Sequence, residues 1–167
     1  MDTNIVLPFI RATRDIFEMM LQLEAEAGEP TVKQSGKASH DISGIIGFTG
    51  DVEGAVVLSF PEATAQRVCA IFTGSECAEQ EDLCDAIGEL TNMIAGSAKA
   101  QFKDRKASIS CPSVVIGADH VVHSKKGTVC VQIPFTCDCG EFAVEFAIKN
   151  VDSGTPTGAA TPAAATN

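Results

Sequence analysis

The chain is predicted to fold as an α+β domain of two layers, with long helices packed on a mostly antiparallel β-sheet. Three observations carry that expectation. The chain opens on a helical apolar spacing, its middle holds β-branched runs punctuated by glycine, and its last third reads as consecutive strands. The order is helix, hairpin, two helices, then strands, which lacks the regular alternation that builds a doubly wound parallel sheet.

The first segment, NIVLPFIRATRDIFEMMLQL, repeats apolar or small residues at Val6, Phe9, Thr13, Ile16, Met20 and Leu23. That spacing is helical, and Pro8 is tolerable near the start. Gly28 and Pro30 are expected to end it. ISGIIGFTGDVEGAVVLSF then reads as a hairpin turning in TGDVEG. Ser59 is expected to cap a short helix that carries Pro61 and Glu62 in its first turn and stops at Gly74. SISCPSVVIG, TVCVQIPFTC and EFAVEFAIKN are predicted strands. In the last, Phe142, Val144, Phe146 and Ile148 alternate with Ala143, Glu145, Ala147 and Lys149, which predicts a sheet with one buried face. Residues 1–150 form the predicted domain. The Ala/Thr/Pro-rich stretch 151–167 has almost no bulk and is expected to be a disordered tail.

Composition narrows the function. Of 167 residues, 45% are hydrophobic and 20% charged, as expected of one soluble domain with a sizeable core. A net charge of -10 argues against nucleic acid and against an anionic membrane surface. The start MDTNIVLPFIRATRD does not read as a signal peptide, and no stretch approaches the roughly 20 apolar residues of a membrane span. The seven cysteines are set at neither disulfide nor zinc-knuckle spacings, which predicts reduced, mostly buried thiols.

The most informative stretch is CDAIGELTNMIAGSAKAQF, residues 84–102. Leu83, Ile87, Leu90, Ile94 and Ala98 fall on one stripe at about 100° per residue, and Phe102 closes it. Asp85, Glu89, Asn92 and Lys99 project to the opposite side, together with Gly88 and Gly96. Each interior glycine costs about 1 kcal/mol against alanine. On the outward side they do not serve packing within the domain; they strip the surface around Glu89 and Asn92 so that another surface can approach the helix.

These residues also carry a resemblance. DAIGELTNMIAGSAK closely resembles the signature of the CheC/CheX/FliY class of chemotaxis phosphatases, in which Asp or Ser is followed by three residues, Glu, two residues and Asn. Asp85, Glu89 and Asn92 match it. SGIIGFTGDVEGAVVLSF, PSVVIGADHVV and NIVLPFIRAT are similar to the corresponding stretches of the CheX branch, so the likeness spans most of residues 4–149. The resemblance implies a CheC-like fold and a cytoplasmic enzyme hydrolysing the aspartyl phosphate of a CheY-type response regulator. It implies a homodimer joined through its sheets, and one site per chain, because Glu18 is followed three places later by Leu21 rather than Asn.

Under that resemblance the reaction is a positioning task. The acyl phosphate sits in a receiver whose Mg²⁺ and lysine neutralise the phosphoryl oxygens, and the phosphatase needs no cofactor of its own. Asn92 is assigned to hold the attacking water, since a carboxamide donates and accepts without titrating. Glu89, one turn away, is assigned to the receiver lysine. Asp85, Gly88 and Gly96 support docking. The alternative is a non-catalytic module of the same fold, akin to flagellar switch proteins, that binds a receiver without hydrolysing it. No metal site is expected: Asp119, His120 and His123 offer no fourth ligand. Cys137 and Cys139 read as packing residues.

Overall fold

The structure, a computed structural model, describes residues 3–33, 36–77, 79–103, 105–122 and 128–151. Helix α1 (Thr3–Ile16) continues into a π-type turn, Phe17–Leu21. Short strands β1 (Glu26–Ala27) and β2 (Thr31–Lys33) follow, then the hairpin of β3 (Ile42–Gly50) and β4 (Val52–Phe60). Helices α2 (Glu62–Thr73) and α3 (Gln80–Ala100) precede β5 (Ala107–Ile109), β6 (Ser113–Ile116), β7 (Cys130–Cys137) and β8 (Gly140–Asn150). The eight described strands form one antiparallel sheet. Its centre runs β7-β8-β4-β3; β1 and β2 share the far edge of β7, while β5 and β6 share the free edge of β3. The expected α+β layering is what forms. The proposed tail, apart from Val151, lies outside the described residues.

With neither Trp nor Tyr in the chain, phenylalanine fills the space between helices and sheet. Phe9 of α1 stacks on Phe146 at 4.8 Å and meets Phe48 and Phe102 edge-on. Phe142 stacks on Phe17, Phe60 and Phe135 at 4.5–5.2 Å. Eight of the nine phenylalanines thus form two aromatic knots under α1, and pairs of this kind add about 0.5–1.5 kcal/mol each beyond area burial.

The hairpin forms with its turn at Asp51, in the register Ile42↔Phe60 to Phe48↔Gly54. Gly74 ends α2 at φ 73, as expected of a left-handed cap. Other local expectations are corrected. The helix does not run to Gly28; it widens at Phe17–Leu21, and Gln22 (φ 55) terminates it with its own N–H and that of Leu23 donated to Glu18 and Phe17 carbonyls. The wider turn shifts the helical phase, so Phe17 and Leu21 face the core and Met20 is 42% exposed. Ser59 caps nothing: it is buried in β4, its Oγ accepting from the His40 N–H at 3.0 Å.

Both faces of β8 are buried between Phe142 and Ala147, against the expected single face. The side away from the helices is covered in part by the segment that follows β2. Glu145, 4% exposed, accepts from Lys33 Nζ at 2.6 Å, from the Ser39 N–H at 3.1 Å and from the Ser39 hydroxyl. A carboxylate this buried requires such pairing. Burial beside it pushes the His40 imidazole below its ordinary value, against the opposing pull of Glu141 and Glu145, and burial raises the Cys130 thiol.

The cysteine expectation is corrected as well. Cys69 and Cys77 form a disulfide with 6.2 Å between Cα atoms. The left-handed Gly74 folds the chain back on α2, which returns Cys77 to Cys69; a spacing of eight does not show that reversal in sequence. Among the other five, Cys139 is buried, Cys84, Cys130 and Cys137 are half-buried, and Cys111 is exposed. Cys137 packs at the β7–β8 turn with its thiol 3.5 Å from the Gly140 carbonyl.

Candidate active site

The candidate site lies on α3, whose orientation is fixed by what it buries. Leu83, Ile87, Leu90, Ile94 and Ala98 are all at most 7% exposed, as is Phe102 just beyond the helix, so the predicted apolar stripe is the core face. Helix and sheet approach closely at Gly44 of β3. A Cβ built there would lie 2.0 Å from Thr91 Oγ1, 3.1 Å from Thr91 Cβ and 3.2 Å from the Ile87 carbonyl oxygen. Thr91 is 1% exposed, and its hydroxyl is satisfied within the helix by donating to the Ile87 carbonyl at 2.6 Å. Gly44 is the position where glycine is required, because only the absence of a side chain lets α3 sit this deep.

With that face fixed, Asp85 and Glu89 are exposed and Asn92 is half-buried at the surface. One turn separates Glu89 from Asn92, about 4.5 Å along the axis at the usual helical rise. Neither side chain is taken up by another described residue. A carboxylate and an amide so placed offer an acceptor of full charge next to a group that can both accept and donate.

The two glycines on α3 differ, which the helical wheel does not show. Gly96 is half-buried, and a Cβ there would meet nothing within 4 Å, so no packing demand explains it. Gly88 is buried rather than outward, which corrects the sequence expectation. Strand β6 lies beyond β3 and flanks the helix on that side; a Cβ at Gly88 would touch Pro112 Cγ and Val114 Cγ2, both at 3.6 Å. Gly88 is therefore the floor of an open cleft of about 500 Å³, walled by Cys84, Asp85 and Glu89 on the helix and by Pro112 and Val114 on the strand side. Sequence reasoning missed that strand wall. The signal was thin: Pro112 interrupts a predicted strand, and nothing local says which helix it faces.

Of the histidine candidate, His120 and Asp119 are both engaged locally. His120 has Nδ1 2.8 Å from the Gly117 carbonyl oxygen and Nε2 2.9 Å from Ser43 Oγ, so both ring nitrogens are engaged. Asp119 pairs with Lys37 at 2.5 Å, and that ammonium lowers its carboxyl below the ordinary range. His123 lies outside the described residues. Among the described residues no group of three or more His, Cys, Asp or Glu side chains could hold a metal, and no helix is long and apolar enough to cross a membrane.

Comparison with known proteins assigns this arrangement to a family. Residues 42–136 match the family described as Chemotaxis phosphatase CheX. The CheY-P phosphatase CheX of Thermotoga maritima is 33% identical over 128 residues, covering 74% of this chain and 83% of that protein. A crystal structure of a chemotaxis protein CheX from Desulfovibrio desulfuricans superposes with a TM-score of 0.81 at 32% identity, covering 87% of this chain and 99% of the other. The CheX–CheY–BeF₃–Mg²⁺ complex from Borrelia burgdorferi gives 0.72 at 25% identity, covering 87% and 97%. The fold is CheC-like α+β, which defines the class, and the chain belongs to the CheX family of chemotaxis phosphatases.

Proposed function

We propose that this chain hydrolyses the aspartyl phosphate of a CheY-type response regulator, with Asn92 positioning the water and Glu89 pairing with the receiver lysine. One observation carries the reading. On a family member's fold, an exposed carboxylate and an amide one turn apart on a deeply seated helix are left unengaged by the other described residues. A CheX named for its action on CheY-P and a CheX crystallised with CheY support the choice of partner.

In this reaction the water oxygen bonds to phosphorus while the bond from phosphorus to the receiver carboxylate oxygen breaks. The products are inorganic phosphate and the free aspartate. The leaving group is a carboxylate, so no acid is required of α3. The Asn92 side-chain carbonyl accepts a hydrogen bond from the water and aims the oxygen lone pair in line, a positional contribution that needs no titrating group, and both water protons leave with the inorganic phosphate. Glu89, exposed one turn away, serves by pairing with the lysine ammonium and fixing the helix against the receiver. Mg²⁺ belongs to the receiver in this scheme. Working in the cytoplasm as a homodimer is part of the same proposal, drawn from the family resemblance.

The test is the decay of phosphorylated receiver with and without the protein. Asn92→Ala is expected to abolish the acceleration, a loss of at least about 100-fold as for other lost positioning groups, while melting temperature and receiver binding stay near wild type. Retention of half the wild-type rate would remove Asn92 from the mechanism. Receiver binding with no acceleration by the wild-type protein would instead select the non-catalytic module.

A further inference from the structure

Beside the acidic row of α3 runs an apolar strip that the helix does not cover. The helix-side residues of the β6 edge are Val114 and Ile116, opposite Gly44 and Ile42 of β3 in register, and Pro112 leads into them. α3 sits over β3, so this outer edge is left partly bare: Pro112 is exposed, Val114 half-buried and Ile116 38% exposed. Pro112 and Val114 wall the cleft that has Asp85 and Glu89 on its other side. The strip continues past Ile116, which borders a second hollow against Gln80 and Leu83 of the same helix. Solvent-exposed apolar side chains contiguous with carboxylates that no described residue pairs make a surface that is half greasy and half anionic.

We infer that the Pro112–Ile116 edge is a second contact for the receiver and sets which receivers are accepted. The inference rests on the proposed phosphatase reading and extends it from one helix to a helix and a strand edge. The occupant it commits to is the receiver element next to the lysine that Glu89 engages. That element must carry an apolar side chain to lie against Pro112 and Ile116 while the ammonium reaches Glu89 and Asp85. A lysine stem is itself apolar and runs along such a wall with its charge beyond it. Pro112 and Val114 share one cleft with the carboxylates, and Ile116 continues the same strand edge, which is the reason for a single occupant. Glu89 supplies charge pairing that any receiver lysine satisfies, whereas the strip reads shape, and discrimination between similar receivers comes from such apolar fit.

The experiment uses the full chain and the CheY-type receivers encoded in the same genome, each loaded with beryllofluoride and Mg²⁺, with binding titrated and dephosphorylation of the phosphorylated forms followed in parallel. Pro112→Ser and Ile116→Ser alter exposed side chains and leave strand pairing to β3 in place. Each is expected to raise the receiver concentration at half-saturation about three- to tenfold, the loss of a modest apolar contact, with the rate at saturation changed less than about twofold. Val32→Ser, a change at an exposed residue on β2 (56% exposed), is the control and leaves both quantities as they are. Unchanged half-saturation in both Pro112→Ser and Ile116→Ser, with wild type binding the loaded receiver, overturns this inference and leaves the phosphatase reading standing. Failure of wild type to bind any loaded receiver overturns both. A melting temperature within about 2 °C of wild type shows that folding is intact; if Ile116→Ser falls short of that, Pro112→Ser alone decides.

Discussion

The depth at which α3 sits is the property on which the proposed site depends most, and Gly44→Ala perturbs it at one atom. The added methyl would lie 2.0 Å from Thr91 Oγ1, and rotating that hydroxyl away does not relieve the 3.1 Å contact with Thr91 Cβ or the 3.2 Å contact with the Ile87 carbonyl. Two of these three neighbours move only with the helix itself. Overpacking of this kind costs about 1–3 kcal/mol. A middle value of about 2 kcal/mol lowers the melting temperature by about 4–8 °C for a domain of this size. Lifting α3 also moves Glu89 and Asn92, and a shift near 1 Å can cost about 100-fold in a reaction that depends on positioning. The assay is thermal unfolding together with receiver dephosphorylation on Gly44→Ala, Thr91→Ala and the double variant. Thr91→Ala removes the hydroxyl, the nearest of the three contacts, and leaves the other two, so the double variant should recover part of the stability that Gly44→Ala loses beyond the Thr91→Ala cost. Strictly additive losses, or a fully stable Gly44→Ala, would refute the contact as the determinant of helix depth.

Three other outcomes are expected. Glu89→Lys should raise the half-saturating receiver concentration more than Glu89→Ala does, and equal binding by both variants and wild type would require another role for this carboxylate. Gly96→Leu should raise melting temperature, since helix propensity improves by about 0.8 kcal/mol and no neighbour lies within 4 Å, while dephosphorylation falls because the side chain fills the approach; a destabilised variant with full activity per folded molecule would contradict that account. His40 is held below its ordinary pKa by burial, so the unfolded chain binds its proton first as pH falls. Its contribution to stability is then complete above about pH 6.5 and lost on going lower through the folded-state value; His40→Gln should flatten that part of the stability–pH curve, and parallel curves would show that His40 does not contribute to it.

The sequence made some of this legible and hid the rest for identifiable reasons. The apolar stripe of α3 follows from periodicity alone, because a surface helix has one dry side. The hairpin was equally clear from its glycines and β-branched runs. What periodicity cannot supply is the neighbour on a helix flank: Gly88 projects outward on the wheel and is buried because β6 happens to lie there. The π-type turn at Phe17–Leu21 departs from constant pitch, so Met20 falls outside the apolar stripe that its spacing predicts. Glu145 alternates as a solvent residue should, yet the segment after β2 folds over it, and only Lys33 and Ser39, 106 or more residues away in sequence, explain its burial. Gly44 reads in sequence as one of several glycines punctuating a strand, although it seats the helix that carries the candidate site.

Asp85, Glu89 and Asn92 ride on one uninterrupted helix wedged against β3, and this has a kinetic consequence. Groups carried on one rigid rod keep their spacing whether or not a partner is present, so no lid or loop within this trio has to close before turnover begins. On the proposed reading, little of the encounter is spent on rearrangement, and productive collisions are limited by how often the receiver arrives in register. Regulation at the helix itself would then act on arrival and departure: a competitor that shields the strip or the carboxylates slows the cycle, whereas a ligand bound elsewhere must shift the whole of α3 to be felt.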